Sequence, residues 1–254
     1  MSTEFALVAK AGGADESAEN TCEACVAARA AKLPRKARLV FELDLRATAD
    51  GALVALHDAT LERTTNGRGP VACVTLSALR QLRAGPNGER VPTCEEVCEA
   101  TEGHELVLDI HANEPGVAQA LVRCLERFAP ATRERIVVAS EHDALIGAVR
   151  ALCPRLRTAA TAREAKLALL LGRLGLGRFS PRGHALFVPR SYRGVRVVTD
   201  SFVRNARRAG DSVWVWVVND APTAVALVAL GVDGCFTTRP SALASELAAA
   251  LAAG

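Results

Sequence analysis

The run "FELDLRATADGALVALHDATLERTTNG" at residues 41–67 places Glu42, Asp44, His57 and Asp58 within one short window. Phe41, Leu43 and Leu45 alternate with Glu42, Asp44 and Arg46, the period of two that sends alternate side chains to opposite faces of a strand. Both acids therefore share a face, about 7 Å apart at roughly 3.3 Å per residue, and they repel unless donors or a cation stand between them. A divalent metal ion would relieve that repulsion, and so would salt bridges to a basic side chain. "TADG" is a turn, "ALVAL" a second short strand, and His57-Asp58 falls where that strand ends, in the kind of loop where folds collect their chemistry. Imidazole titrates near neutral pH, which makes His57 a candidate proton donor or acceptor; a histidine held at a strand end for packing is the bland alternative.

The elements that must position these groups run the length of the chain. Apolar, β-branched runs at 5–9, 39–45, 106–111, 135–140, 156–160, 185–189, 213–218 and 234–238 read as eight strands. Between them lie segments with apolar residues three and four apart, such as 116–128 and 223–231, the signature of helices. Strand and helix alternating about eight times in 254 residues predict a closed α/β TIM barrel, (β/α)8, with an open doubly wound sheet as the alternative. No linker divides the chain, so residues 1–254 are expected to form a single domain, with loops at 83–92 and at the Gly- and Arg-rich 171–184. Ser241 is the expected N-cap of the last helix, and Glu19-Asn20-Thr21 opens the first. Active sites of such barrels sit at the C-terminal ends of the strands, which would gather Lys10, Glu42, Asp44, Asp109, His111, Ser140 and Trp216 at one mouth.

Composition narrows the function. Thirty-one basic against 28 acidic residues are too balanced to imply a nucleic-acid partner, and "RNARR" at 204–208 resembles a solvated helix face. No apolar run is long enough for a membrane span, and the first residues lack the pattern of a secretion signal, so a cytoplasmic location is expected. Eight cysteines fall mostly on apolar faces, where free thiols serve as small core residues. A zinc site from Cys22, Cys25, Cys94 and Cys98 is the minor alternative.

Several ordered motifs resemble those of the glycerophosphodiester phosphodiesterase family. That family carries His-Arg-Gly and Pro-Glu-Asn-Thr, where this chain has "VAKAGGADESAENT". Its Glu-x-Asp strand, Thr-x-Asp-Gly turn and His-Asp followed by Leu-x-Arg-Thr-Thr-x-Gly are matched by "ELDLRATADGALVALHDATLERTTNGRG". "VPTCEEV" at 91–97, "WVVND" at 216–220 and "GVDG" at 231–234 echo its later motifs. The resemblance implies a TIM barrel that binds one divalent cation, Mg2+ or Ca2+, and cleaves a small-molecule phosphodiester. It implies Glu42, Asp44 and Asp109 as metal ligands, the last standing where the family has a glutamate, and His57 as one of two catalytic histidines.

The departures fall on the same motifs. Lys10 replaces the other catalytic histidine, Ala11 the arginine beside it, and His111 the lysine of the Glu-x-Lys strand. An unperturbed lysine keeps its proton at pH 7 and is no base. Lys10 would instead steady phosphate charge as a point cation, or neutralise Glu42 and Asp44 and occupy the metal's place. His111 is a candidate substitute acid/base or substrate contact, Glu19 a site residue or a cap, and Trp216 a pocket wall or a core residue. Backbone donors of "GGADES" are weak candidates for phosphate. The expected function is a metal-dependent hydrolase of glycerophosphodiesters or related lipid-derived phosphodiesters, with slow or altered chemistry. A relative that has lost turnover and binds a phosphorylated ligand or protein partner, and a lyase acting on lipid phosphodiesters, are the alternatives.

Overall fold

Eight parallel strands curl into a nearly closed barrel in the computed structural model, which describes residues 4–173 and 185–252. The barrel strands are β1 (Phe5–Lys10), β2 (Ala37–Ala47), β4 (Glu105–Ile110), β5 (Ile136–Ala139), β6 (Arg157–Thr158), β7 (Ala185–Pro189), β10 (Ser212–Trp216) and β11 (Gly234–Thr237). Their hydrogen-bonded order is β6-β5-β4-β2-β1-β11-β10-β7, and a single parallel bridge from Ala159 to Ala185 joins the ends. All eight lie on segments that the hydrophobic pattern marks as strands, and the closed barrel replaces the open-sheet alternative. The remaining strands are hairpin pieces: β3 (Leu53–Ala55) runs antiparallel to β2, and β8 (Ser191–Tyr192) pairs with β9 (Val195–Arg196).

Alternation along the strands separates two cores. Ala6, Val8, Val40, Val107, Val137, Ala139, Ala159, Trp214 and Phe236 point inward and fill the barrel below the mouth. Their neighbours Leu7, Phe41, Leu43, Leu106, Leu108, Ile110, Val213 and Val215 point outward, each essentially inaccessible to water, and pack on the helices. The N-terminal end is closed by charge. Glu105 pairs with both Arg38 and Arg157, and the Arg38 guanidinium lies 5.6 Å from the Trp214 ring.

The helices are α1 (Cys22–Ala28), α2 (Leu76–Leu79), α3 (Cys94–Ala100), α4 (Val117–Glu126), α5 (Pro130–Glu134), α6 (Asp143–Leu152), α7 (Ala162–Arg173), α8 (Asp200–Ala209), α9 (Ala221–Ala229) and α10 (Pro240–Ala252). Thr21, Thr93, Thr199 and Asp220 cap four of them with a side-chain oxygen. The Ser241 cap is a correction: α10 starts one residue earlier, at Pro240, whose fixed φ and missing N–H suit the first turn. The Glu16 carboxylate accepts from the free N–H groups of Ser241 and Ala242 at 2.9 and 2.8 Å and does the capping from the loop after β1. Of the loop expected at 171–184, residues 171–173 end α7 and the rest lies outside the described residues. No helix among the described residues is long and apolar enough to cross a membrane.

The excursion between β2 and α3 departs from plain strand-helix alternation. It contains β3 and α2 and packs on its own small core of Val54, Leu56, Leu61, Val71, Leu79, Ala84 and Val91. That core gives the His57-Asp58 segment a rigid footing.

Leu108, at the centre of β4 and fully buried, tests the packing that sets Asp109 and His111 in place. Leu108→Ala is expected to lower unfolding free energy by about 2–5 kcal/mol in urea titrations.

Candidate active site at the barrel mouth

Strand register assembles the charges. In the parallel ladders Lys10 of β1 stands beside Glu42 of β2, and Asp44 of β2 beside Asp109 of β4. All four share the inward parity of Val8, Val40 and Val107, two or four residues nearer the C-terminal end. Oxygens of Glu42, Asp44 and Asp109 lie within 4.8 Å of one another. The Lys10 ammonium reaches in, 3.2 Å from Glu42 Oε1 and 3.8 Å from Asp44 Oδ1.

The two buried acids are each fixed by one oxygen. Glu42 Oε2 accepts the Ala11 N–H at 2.7 Å, and Asp44 Oδ2 accepts Asn20 Nδ2 at 2.9 Å. Asn20 also takes the Asp44 N–H on Oδ1 at 2.9 Å, so one side chain clamps both ends of the residue. It does so from the left-handed region, at φ +58, which asparagine tolerates better than most residues. Gly12 follows Ala11 at φ +78, where a Cβ would come within 2.9 Å of Ala24 Cβ, so the turn admits α1 only with glycine there.

The remaining oxygens face the centre. Asp44 Oδ1 stands 3.0 Å from His111 Nε2, and Asp109 Oδ2 3.7 Å from the same nitrogen. The His111 and His57 rings lie 4.8 Å apart, centroid to centroid. Arg46 ties their backbones together, donating to the carbonyls of His57 and His111 at 2.9 and 2.7 Å. His57 Nδ1 lies 2.8 Å from Asp58 Oδ1. Asp58 is in turn forked by Arg63 at 2.5 and 3.0 Å, and Arg63 reaches both oxygens of Glu19 at 2.7 Å. Donation from Nδ1 to Asp58 leaves a lone pair on Nε2, the other ring nitrogen of His57.

These surroundings pull the acids apart. Burial and then the charge of Asp44 push Glu42 up to about 8, against the pull of Lys10 and the Ala11 N–H. Burial acts on Asp44 in the same sense, but the hydrogen bond from His111, the ammonium and Asn20 outweigh it and hold Asp44 down at about 2. Asp109 is raised, chiefly by burial. Burial disfavours the charge of Lys10, yet Glu42 and Asp44 outweigh it and keep the ammonium protonated above the usual lysine range. His111 is raised because its bond to Asp44 and the charge of Asp109 exceed the cost of burial. Arg63 holds Asp58 well below the ordinary carboxylate value.

The donor set fits a divalent cation. Fully ionised, three carboxylates against one ammonium leave two negative charges at a mostly dry site, and the charges of Asp44 and Asp109 add to the upward push that burial exerts on Glu42. Hard oxygen donors of this kind suit Mg2+ or Ca2+.

The structure thus brings together Lys10, Glu42, Asp44, Asp109, His57 and His111. Glu19 is tied to the group through Arg63, and Thr21, not Glu19, caps α1. Trp216 sits at the end of β10 with 45 % of its surface exposed, which rules out the core reading; Trp214 below it is the core residue. Ser140 caps the end of β4, donating to the Ile110 carbonyl at 2.6 Å. The idea that "GGADES" offers donors to phosphate fails: the N–H groups of Gly12 to Ser17 all bond within the protein. Neither metal-compatible group among the described residues contains a cysteine, and all eight thiols are free. Asn20, Arg46 and Arg63 escaped the sequence reading as site residues. All three lie inside the quoted motifs, so their signal was present but carried no chemistry without the third dimension.

A barrel whose mouth gathers three acids and two imidazoles around a small gap has the layout of a metal-assisted phosphodiester hydrolase. The profile of the Glycerophosphoryl diester phosphodiesterase family matches residues 11–242, and the chain belongs to that family. It is 27% identical over 217 residues to a glycerophosphodiester phosphodiesterase of Caldanaerobacter subterraneus subsp. tengcongensis, covering 80% of this chain and 83% of that one. It is 30% identical over 212 residues to the putative glycerophosphodiester phosphodiesterase YhdW of Bacillus subtilis, covering 79% and 83%. Among solved structures, the glycerophosphoryl diester phosphodiesterase domain of a Mycobacterium tuberculosis protein superposes with a TM-score of 0.80 at 20% identity, over 95% of this chain and 98% of that one. An Oleispira antarctica phosphodiesterase in complex with the product sn-glycerol-3-phosphate gives 0.76 at 23% identity over 96% of each chain. These two likenesses bear on the fold alone.

The proton affinities set a sign for stability. Glu42, Asp109 and His111 all bind protons more tightly folded than unfolded, so their contribution is greatest below their unfolded values and is lost as pH rises through the folded ones. Asp44 acts oppositely, losing stability only as pH falls from its unfolded value toward about 2. In EDTA the protein should therefore resist urea better at about pH 6 than at about pH 8.5, and a flat or inverted profile would contradict the arrangement.

Proposed function

We propose that this enzyme hydrolyses glycerophosphodiesters, with Glu42, Asp44 and Asp109 holding one divalent cation, Mg2+ or Ca2+, at the barrel mouth. The observation that carries the reading is the convergence of those three oxygens within 4.8 Å, beside a histidine whose Nδ1 is already committed to a carboxylate. When bound, the cation supplies Lewis-acid polarisation of a phosphoryl oxygen.

The chain's own groups do the rest. Asp58, locked by Arg63, fixes the tautomer of His57, whose Nε2 accepts or returns the proton of the attacking or leaving oxygen. The ring is 46 % exposed, so it can meet a substrate arriving from solvent. Lys10 keeps its proton and steadies the charge that grows on phosphate, as a point cation without a fork. Glu19, His111 and Trp216 line the rim as substrate contacts, with the exposed indole offering an apolar wall. A cytoplasmic location belongs to the same reading, supported by eight unpaired thiols.

One observation favours a second reading. The Lys10 ammonium already lies within salt-bridge distance of two of the three acids, as expected of a relative that has lost turnover and keeps the mouth for binding a phosphorylated ligand or protein partner.

Turnover of glycerophosphocholine and bis(p-nitrophenyl) phosphate with Mg2+ or Ca2+ decides between them. Activity abolished by EDTA and lowered about 10² to 10⁴-fold in His57→Ala is the expected result. Absent turnover in the parent that appears in Lys10→His combined with Ala11→Arg would establish the binding relative instead.

A further inference from the structure

The carboxylate triad leaves a second arrangement at the same mouth unexplained. One oxygen of Asp44 and one ring nitrogen each of His57 and His111 also lie within 4.8 Å of one another. The lysine expected at position 111 from the family motif could not take part; the imidazole found there can.

Each of these three residues is held from behind, as a metal-ligating residue is. His57 gives Nδ1–H to Asp58, the outer carboxylate that orients a ligating histidine and makes its other nitrogen a better donor. Arg63 fixes Asp58 from behind with two bonds. Asn20 occupies Asp44 Oδ2 and leaves Oδ1 pointing at His111. The 3.0 Å between Asp44 Oδ1 and His111 Nε2 is close to the about 3.3 Å that two ligands, each about 2.0 Å from a tetrahedral zinc ion, must keep. Arg46 pins the backbones of both histidines, so the pair is preset and not drawn together by an ion.

Donor chemistry names the ion. Two imidazoles and one carboxylate with open positions are a poor site for Mg2+ or Ca2+, which prefer oxygen, and a good one for borderline first-row ions such as Zn2+ or Co2+. We propose that Asp44, His57 and His111 form a second, nitrogen-rich site that binds a zinc-class divalent ion, sharing Asp44 with the carboxylate triad. The inference rests on the proposed function only in taking the mouth as the reaction centre, and it does not need turnover to be tested.

The test is calorimetric titration of EDTA-stripped protein with ZnCl2 and MgCl2, and visible absorption of the Co2+ complex, for the parent, His57→Ala, His111→Ala and Asp58→Asn. One equivalent of Zn2+ should bind more tightly than Mg2+, and Co2+ should give ligand-field bands without thiolate charge transfer. Asp58→Asn should weaken Zn2+ about 10–100-fold, and either histidine variant by more, while Mg2+ affinity in Asp58→Asn and His57→Ala stays near that of the parent and reports an intact fold. Zn2+ affinity unchanged in either histidine variant, Zn2+ no tighter than Mg2+, or a thiolate band that moves the ion to the cysteines would each overturn the proposal. Loss of Zn2+ selectivity with hydrolysis intact would sink this site alone, whereas nitrogen ligation without hydrolysis would leave it standing and remove the proposed activity.

Discussion

Negative charge packed onto two neighbouring strands is the constraint around which this molecule is arranged. Glu42 and Asp44 are almost wholly buried, and the ladder sets Asp109 directly beside Asp44. Carrying a carboxylate out of water costs several kcal/mol even after relaxation, and placing two more alongside adds repulsion. The barrel answers with fixed donors. The turn after β1 bends so that the Ala11 N–H meets Glu42, and Asn20 takes a left-handed backbone to clamp Asp44. Lys10 then supplies one positive charge from the adjacent strand. Burial, and after it the charges of Asp44 and Asp109, still displace Glu42 far upward against these donors.

The excursion after β2 serves the same constraint from the other side. His57 reaches the acids not from a barrel strand but from the segment just after β3. That segment rests on its own apolar core. From it a chain of charges runs His57, Asp58, Arg63, Glu19, ending on the segment that leads into α1. The exposed links of this chain contribute modest stability, since exposed ion pairs are worth about 0–1 kcal/mol; their consequence is orientation. Arg46, bridging two carbonyls, couples the histidine of the hairpin to that of β4.

Much of this was legible in the sequence because it depends on short periods. Alternation in "FELDLR" puts Glu42 and Asp44 on one face, and the strand-end rule for barrels gathers Lys10, Asp109 and Trp216 with them. Register supplied the rest, and register has no local signal: nothing in "LVLDIH" says that Asp109 pairs with Asp44 and not with Glu42. The same holds for side chains that act across long separations. Asn20 and Asp44 are 24 residues apart, and Arg63 and Glu19 44. Ser241 and the Gly12–Ser17 turn failed for a related reason. A serine at a helix start and a pair of glycines carry propensity for capping and anion binding, but Glu16 outcompeted the one, and internal carbonyls consumed the donors of the other.

Two of the departures from the family motif at the mouth, those at positions 10 and 111, are best understood as one exchange. The motif has imidazole on the first strand and ammonium on the Glu-x-Lys strand; this chain has Lys10 and His111, so the count of two imidazoles and one ammonium is preserved while their places are traded. Electrostatically the trade is nearly neutral. Position 10 reaches Glu42 and Asp44, position 111 reaches Asp44 and Asp109, and from either one a cation relieves the central Asp44. Geometrically it is not neutral. An imidazole on β4 faces His57 at 4.8 Å between rings, and an ammonium on β1 enters the space among the acids. The exchange therefore keeps the charge that folds the mouth and shifts nitrogen donors to one side of it, which separates what holds the site together from what the site can bind.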